Sequence, residues 1–322
     1  MKNKHRILIA VSIFVILLSV LSVSSYFYFN YSYKKGTTVK ISAIVYGSGA
    51  DRWSTMKQGL DQGAVDFNVE VNLVTTQEDG SAEEQKALIE RELANGAQGI
   101  ILAAADSSGM SETVREYAKA VPVVLVETGI RNMEGITYIS ADNYSMGLNL
   151  GRSVYLGSSR KKSVAVFVNN LERDSVLARY EGFLDSLQYM DSTINEWVMG
   201  EEDTEISAFL NTQLANHRAD VVVALDDQSL EAVIDAAQAV GSTADLYGIG
   251  STNKIVHYLD YGLIDSIVFE NEFNMGYLSV QELVHDIQKE EIKTDNDIEF
   301  RTVNRETMYL PRNQRLVFPI VQ

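Results

Sequence analysis

The stretch VVVALDDQSLEAVIDAAQAV, from Val221 to Val240, holds the repeating unit of this chain. Val221–Leu225 is a short aliphatic run without polar alternation, the pattern of a strand buried on both faces of a parallel sheet. Asp226 and Asp227 interrupt it. Leu230, Val233, Ile234, Ala237 and Val240 then recur every three or four residues and share one helical face. The unit recurs from Val39 to about Phe269. Val39–Val45, Val69–Val74, Gly99–Leu102, Val121–Val126, Val164–Val168 and Leu246–Ile249 are further strand-like runs. Val176, Tyr180, Phe183, Leu184 and Leu187 form one helical stripe, and Phe273, Tyr277, Val280, Val284 and Ile287 another. Strand and helix in alternation predict an α/β fold of right-handed crossovers, with ligand sites at the carboxyl ends of the strands.

The chain has 322 residues, 46% of them hydrophobic and 22% charged, which is more than one modest core needs and suggests two lobes. Three prolines (Pro122, Pro311, Pro319) mark no long linker, and the absence of cysteine excludes disulfides, thiolate metal sites and cysteine nucleophiles. The formal net charge is −17, and Lys2, Lys4 and Arg6 precede every acidic residue, so the body is more acidic still. Such a surface repels phosphate backbones and argues against nucleic acid as a partner.

Ile7 to Phe29 carries no charged residue and suits a helix crossing a bilayer core about 30 Å thick. The basic residues before it place the amino terminus in the cytoplasm and the body outside, and Tyr26, Phe27, Tyr28, Phe29, Tyr31 and Tyr33 crowd the far end as an aromatic belt. The expectation is a retained single-pass anchor in the cell membrane; the alternative is a cleaved signal peptide, for which Ser22–Ser24 offers a weak small-residue site. Either way the body is exported.

Little points to catalysis. The four histidines (His5, His217, His257, His285) lack metal-site spacing, and His217 and His285 fall on predicted exposed helix faces. Gly47-Ser48-Gly49 and Gly248-Ile249-Gly250 do not continue into a dinucleotide loop, and no nucleophile elbow or phosphate-binding lysine loop occurs. Ser81-Ala82-Glu83-Glu84 is a capping box. The chain is expected to have no catalytic residues, metal or cofactor, and not to be an enzyme.

Several local patterns in order carry a resemblance over about residues 38–305. They are Asp51-Arg52-Trp53 opening a helix, Gly96-Ala97-Gln98-Gly99-Ile100-Ile101-Leu102, Val121-Pro122-Val123-Val124, Ile139-Ser140-Ala141-Asp142-Asn143, and Arg179-Tyr180-Glu181-Gly182-Phe183. In these the chain resembles the type I periplasmic binding protein family, which includes ribose- and galactose-binding proteins and the sugar-sensing domains of lac-repressor-like regulators. The resemblance implies two similar doubly wound parallel-sheet lobes joined by a three-strand hinge, with a ligand between them. The expected organisation is a cytoplasmic segment (1–6), the membrane helix (7–29), a linker (30–37), a first lobe (38–141 plus 270–297), a second lobe (142–269 plus 298–310) and a tail (311–322).

The resemblance also implies ligand residues. Trp53 falls where a ring stacks on a sugar face, with core packing as its alternative. Asp51 and Arg52 precede it, and Asp51 could instead cap the helix. Glu127 falls at the carboxylate that accepts sugar hydroxyls, and Arg179 at a guanidinium that forks onto ligand oxygens, with a surface ion pair to Glu181, Glu172 or Asp174 as its alternative. Asp226 ends a strand of the second lobe, while Asp227 is read as the helix cap. Glu270 replaces the glutamine of ribose-type proteins, and Gly250 replaces an aspartate that grips hydroxyls. Carboxylates at 127, 226 and 270 would outnumber Arg52 and Arg179, which suggests an amine or amino sugar as an alternative to a neutral sugar. The implied role is a tethered extracellular protein that closes on its ligand and presents it to an ABC-type permease or a membrane histidine kinase.

Overall fold

The computed structural model describes residues 18–25, 38–47, 52–77, 81–157, 162–188, 193–200, 205–216, 219–290 and 297–317. The described residues 18–25 are helical and are labelled α1. Among the described residues no helix is long and apolar enough to cross a membrane. The expected anchor over 7–29, with the single-pass topology, the tethering and the membrane contact that followed from it, is therefore not borne out among the described residues; residues 7–17 and 26–29 of it lie outside them.

The first lobe is a parallel sheet of β1 (Lys40–Val45), β2 (Glu70–Thr75), β3 (Gly99–Leu102), β4 (Val123–Val126) and β5 (Thr137–Ile139), in the order β2-β1-β3-β4-β5. Helices α2 (Ser54–Asp66), α3 (Ala82–Ala94) and α4 (Ser111–Tyr117) connect these strands. After α5 (Asn143–Gly157) the second lobe repeats the scheme with β6 (Ser163–Val168), α6 (Asp174–Leu187), β7 (Thr193–Val198), α7 (Ile206–Ala215), β8 (Val221–Ala224), α8 (Asp227–Val240), β9 (Asp245–Ile249), α9 (Asn253–Tyr261) and β10 (Ser266–Glu270). Then come α10 (Glu272–Gln288), β11 (Phe300–Val303) and α11 (Pro311–Val317). The second sheet runs β11-β10-β9-β8-β6-β7, with β11 antiparallel to β10 and the rest parallel.

The inner strands β3, β4 and β8 are buried at every residue, as aliphatic runs covered on both faces must be. The strand β7, absent from the sequence reading, lies at the sheet edge, where TINEWV keeps only Trp197 buried. β5 is three residues long and β11 is largely polar, so neither shows as an apolar run. His285 is buried on α10, edge-on to Phe67 at 6.3 Å, and not on an exposed face. In the tail, Val317 of α11 packs into the core of the second lobe beside Met308.

Each sheet reverses direction of growth beside its first strand, between β1 and β3 and between β6 and β8. At such switch points the loops diverge and leave a crevice at the carboxyl ends. Helix α10 returns to pack on α2 and on β3, β4 and β5 of the first lobe, while α5 packs on α6 and the second sheet. The chain therefore crosses between lobes at 140–142, 270–271 and 297–299. These crossings lie side by side: Ser140 bridges Asp297, and Asn271 N donates to Glu299 O at 2.9 Å.

Candidate functional site

The loops at the carboxyl ends of both sheets bring together a buried charged cluster. Glu127 follows β4 with a backbone φ of 58°, a left-handed conformation uncommon for a residue with a long side chain. Its carbonyl accepts from Tyr138 Oη (2.8 Å) and Ser140 Oγ (3.0 Å), which hold the turn. The strained backbone aims the carboxylate into the crevice, where it accepts from Tyr46 Oη at 2.8 Å, Arg179 Nη2 at 3.2 Å and Ser175 Oγ at 3.4 Å.

Arg179 lies on the buried stripe of α6 with Ser175, Val176, Gly182 and Phe183. It donates to Glu270 Oε1 at 3.0 Å, to Asn143 Oδ1 at 2.7 Å and to the Leu225 carbonyl at 3.4 Å, besides Glu127. Burial opposes its charge, but the Glu127 and Glu270 carboxylates outweigh that effect and raise its affinity for a proton. Glu270 also accepts from Ala141 N at 3.1 Å. Burial pushes its carboxyl upward, against the pull of Arg179. Arg179 is thus paired across the hinge and not with Glu181, Glu172 or Asp174.

Arg52 joins the lobes at the other side of the crevice. Its Nε meets Asp227 Oδ2 at 3.0 Å and its Nη1 meets Glu272 Oε1 at 2.9 Å, while its guanidinium lies 4.2 Å from the Trp53 ring centroid. Trp53 is buried, donates to the Tyr46 carbonyl at 2.8 Å and meets the Tyr46 ring edge-on at 5.1 Å. One indole face is therefore covered by Arg52.

The two aspartates exchange the roles read from the sequence. Asp226 caps α8, accepting from Ser229 N (2.9 Å) and Ser229 Oγ (3.0 Å), and takes Asn170 Nδ2 at 3.1 Å. Asp227, read as the cap, reaches Arg52 and accepts from Ser251 N at 2.9 Å. A side chain at Gly250 would place its Cβ 2.4 Å from Asp227 Oδ1. The carboxylate missing at position 250 is thus supplied nearby by Asp227.

Closure between the lobes also completes a helix terminus. The residue before α6, Arg173, makes no side-chain cap. The free N–H groups of Asp174 and Ser175 instead donate to Ser107 Oγ (2.9 Å) and Thr128 Oγ1 (3.1 Å) of the first lobe. Helix amino termini leave such donors without intrahelical partners; here the opposite lobe satisfies them.

Of the seven residues expected at the site, Arg52, Trp53, Glu127, Arg179, Asp226 and Glu270 are brought together in or beside this buried cluster; Asp51 lies outside the described residues. Tyr46, Asn143, Arg173 and Asp227 belong to the cluster but were not named from the sequence as ligand residues. Tyr46 follows β1 directly, so its position could have marked it, whereas an arginine before a helix gives no such signal. Each carboxylate of the cluster has a partner, though two share each arginine: Glu127 and Glu270 share Arg179, Asp227 and Glu272 share Arg52, and Asp226 is held by α8 and Asn170. Among the described residues no group of His, Asp and Glu could hold a metal ion.

The chain is similar in fold to a carbohydrate transporter solute binding protein from Agrobacterium radiobacter, solved in complex with D-arabinose. The TM-score is 0.78 at 20% identity, covering 87% of this chain and 99% of that one. It is similar also to GanP, a glucose-galactose binding protein from Geobacillus stearothermophilus, with a TM-score of 0.76 at 18% identity over 85% and 100% of the two chains. In sequence it is 28% identical over 145 residues to the ABC transporter periplasmic-binding protein YphF of Escherichia coli (strain K12), a match spanning 42% of this chain and 44% of that protein. The family model described as a periplasmic binding protein domain matches residues 41–291, well over half of the chain. The chain therefore belongs to the periplasmic binding protein family, whose members bind solutes and are not enzymes.

Proposed function

We propose that this protein captures a monosaccharide between its two lobes and delivers it to an ABC-type permease. The observation that carries this reading is the convergence of Tyr46, Arg52, Glu127, Arg179 and Asp227 from elements at the carboxyl ends of two separate sheets into one shielded cluster between the lobes. Planar guanidinium and carboxylate groups held rigidly by one another present directional hydrogen bonds to hydroxyls, and aromatic rings beside them suit the C–H faces of a sugar. Solved relatives of the same fold carry D-arabinose or are described as glucose-galactose binding. A ligand touching both lobes favours the closed form by its differential affinity, and the closed form gives a permease one recognisable surface.

The test is a thermal-shift screen of pentoses and hexoses followed by calorimetry. The reading expects a raised Tm for a small set of related sugars, with micromolar or tighter binding. A screen in which no monosaccharide shifts the Tm at millimolar concentration would overturn it.

A further inference from the structure

Arg173 stands in the second lobe at the residue before α6, and contacts to the first lobe fix it there. Ser107 N donates to the Glu172 carbonyl at 3.0 Å, and Ser107 Oγ accepts from Asp174 N at 2.9 Å, so the backbone is pinned on either side of Arg173. The residue is 1% exposed, and its guanidinium lies 3.7 Å from the centroid of the Tyr46 ring. Burial opposes its charge, but the electrostatic pull of Tyr46, Asp226, Glu127 and Glu172 outweighs that effect. The charge is thus balanced within the protein.

Its hydrogen bonds are not. Both Nε and Nη2 are buried without an acceptor among the described residues. The carboxylates nearest in effect accept from other donors: Glu127 from Tyr46, Arg179 and Ser175, and Asp226 from Ser229 and Asn170. A buried donor left unpaired carries the desolvation cost of that group, so these two N–H groups favour any oxygen that can accept from them. Neutral hydroxyls do so without disturbing the charge balance. Nε and Nη2 share one edge of a planar group, so the two oxygens must lie side by side. A sugar ring offers such a pair where hydroxyls on adjacent carbons are gauche, and not where they are diaxial and point apart. The Tyr46 ring fixes the plane of the edge. Tyr46 also donates to Glu127, which places the edge beside the cluster assigned to the sugar.

We propose that Arg173 is a specificity-determining residue, whose Nε and Nη2 donate to two gauche hydroxyls on adjacent carbons of the sugar. This rests on the monosaccharide reading above and adds to it the pair of hydroxyls that is read.

The experiment is calorimetry on the full chain with the tightest-binding sugar of the pentose and hexose screen and each of its monodeoxy derivatives, repeated with Arg173→Met and Arg173→Lys. In the parent chain, loss of either hydroxyl of one adjacent pair should weaken binding about 10- to 100-fold, the worth of one hydrogen bond to a charged group. In Arg173→Met the penalties at those two positions should disappear while those at other positions persist. Arg173→Lys should lose the penalty at one of the two, because an ammonium lacks the fork. A purely structural arginine would instead lower the affinity for every sugar alike. The Tm of each variant reports its folding, and Arg173→Lys keeps the charge facing Asp226, Glu127 and Glu172, so the comparison stands even where Arg173→Met does not fold. Equal deoxy penalties in the parent and the folded variants, or no adjacent pair of sensitive hydroxyls in the parent, would overturn the role of Arg173 and leave the monosaccharide reading in place. Binding of no sugar in the screen would overturn both.

Discussion

Arg52 at the start of α2 and Asp227 at the start of α8 form an ion pair of 3.0 Å that joins the first lobe to the second. Both groups are largely shielded from water, at 18% and 7% side-chain exposure, so solvent screens the pair less than a surface bridge. It can form only when the lobes meet. Asp227→Asn keeps an oxygen for Ser251 N but removes the charge that holds Arg52. The variant should bind the sugar about 5- to 20-fold more weakly through a smaller closed population. Calorimetry gives the affinity, and small-angle scattering should show a larger unliganded radius. An unchanged affinity would make the pair incidental to closure.

Arg179 neutralises two buried carboxylates at once, and its removal should be felt in stability as well as in binding. Arg179→Met leaves Glu127 and Glu270 beside each other without a counter-charge. Breaking a buried pair in this way costs about 3–5 kcal/mol. Urea unfolding should show that loss near neutral pH, with partial recovery on acidification as Glu270, already displaced upward by burial, takes a proton. A ΔΔG within about 1 kcal/mol would show that the network is not what holds the hinge.

Glu272 offers a pH signature. Burial, only partly offset by Arg52, raises its pKa to about 8, against about 4.3 in an unfolded chain. The folded state therefore holds this proton more tightly than the unfolded state. The stabilisation is fully present below about pH 4.3 and is lost as pH rises towards 8. Glu272→Gln retains an acceptor for Arg52 and cannot titrate. Its stability should gain on that of the parent between pH 5 and 8, by up to about 1.4 kcal/mol per pH unit, and then run parallel. Parallel curves over the whole range would remove the assignment.

The fold was legible where the physics is local. Strands such as Val123–Val126 and Val221–Ala224 are buried on both faces, so their sequences carry nothing but aliphatic residues. Edge strand Thr193–Val198 has one covered neighbour and a polar face, and its sequence gives no such signal. At the site, the places of Glu127 and Arg179 were legible only through the family resemblance, the one after a strand and the other in the stretch Arg179-Tyr180-Glu181-Gly182-Phe183. Their pairing with each other was not, because it spans 52 positions and depends on the lobes meeting. The same reason hid Asp227. Its contact with Arg52 exists only across the crevice, whereas the capping rule that misassigned it to the helix is a matter of neighbours in sequence. Arg173 was missed because an arginine before a helix reads as a solvated charge until burial is known.

Gly147 ties helix packing to the site. Helices α5 and α6 touch through Gly147 and Gly182: a Cβ on Gly147 would lie 1.9 Å from the Arg179 carbonyl oxygen, and one on Gly182 would lie 2.0 Å from that of Tyr144. Neither obstacle is a flexible side chain, so the helices must separate to admit even a methyl group. The first lobe repeats the device, since a Cβ on Gly59 of α2 would stand 2.0 Å from the Phe273 carbonyl of α10. Overpacking of this kind costs about 1–3 kcal/mol, so Gly147→Ala and Gly59→Ala should both lower the Tm. They should differ in binding. Gly147→Ala presses on the backbone that carries Arg179, whose guanidinium sits between two carboxylates at 3.0 and 3.2 Å and tolerates little displacement. Calorimetry at a temperature where both variants are folded should therefore show the greater loss of sugar affinity for Gly147→Ala. Equal losses in the two variants would mean that the close approach of α5 and α6 supports the lobe alone and does not position Arg179.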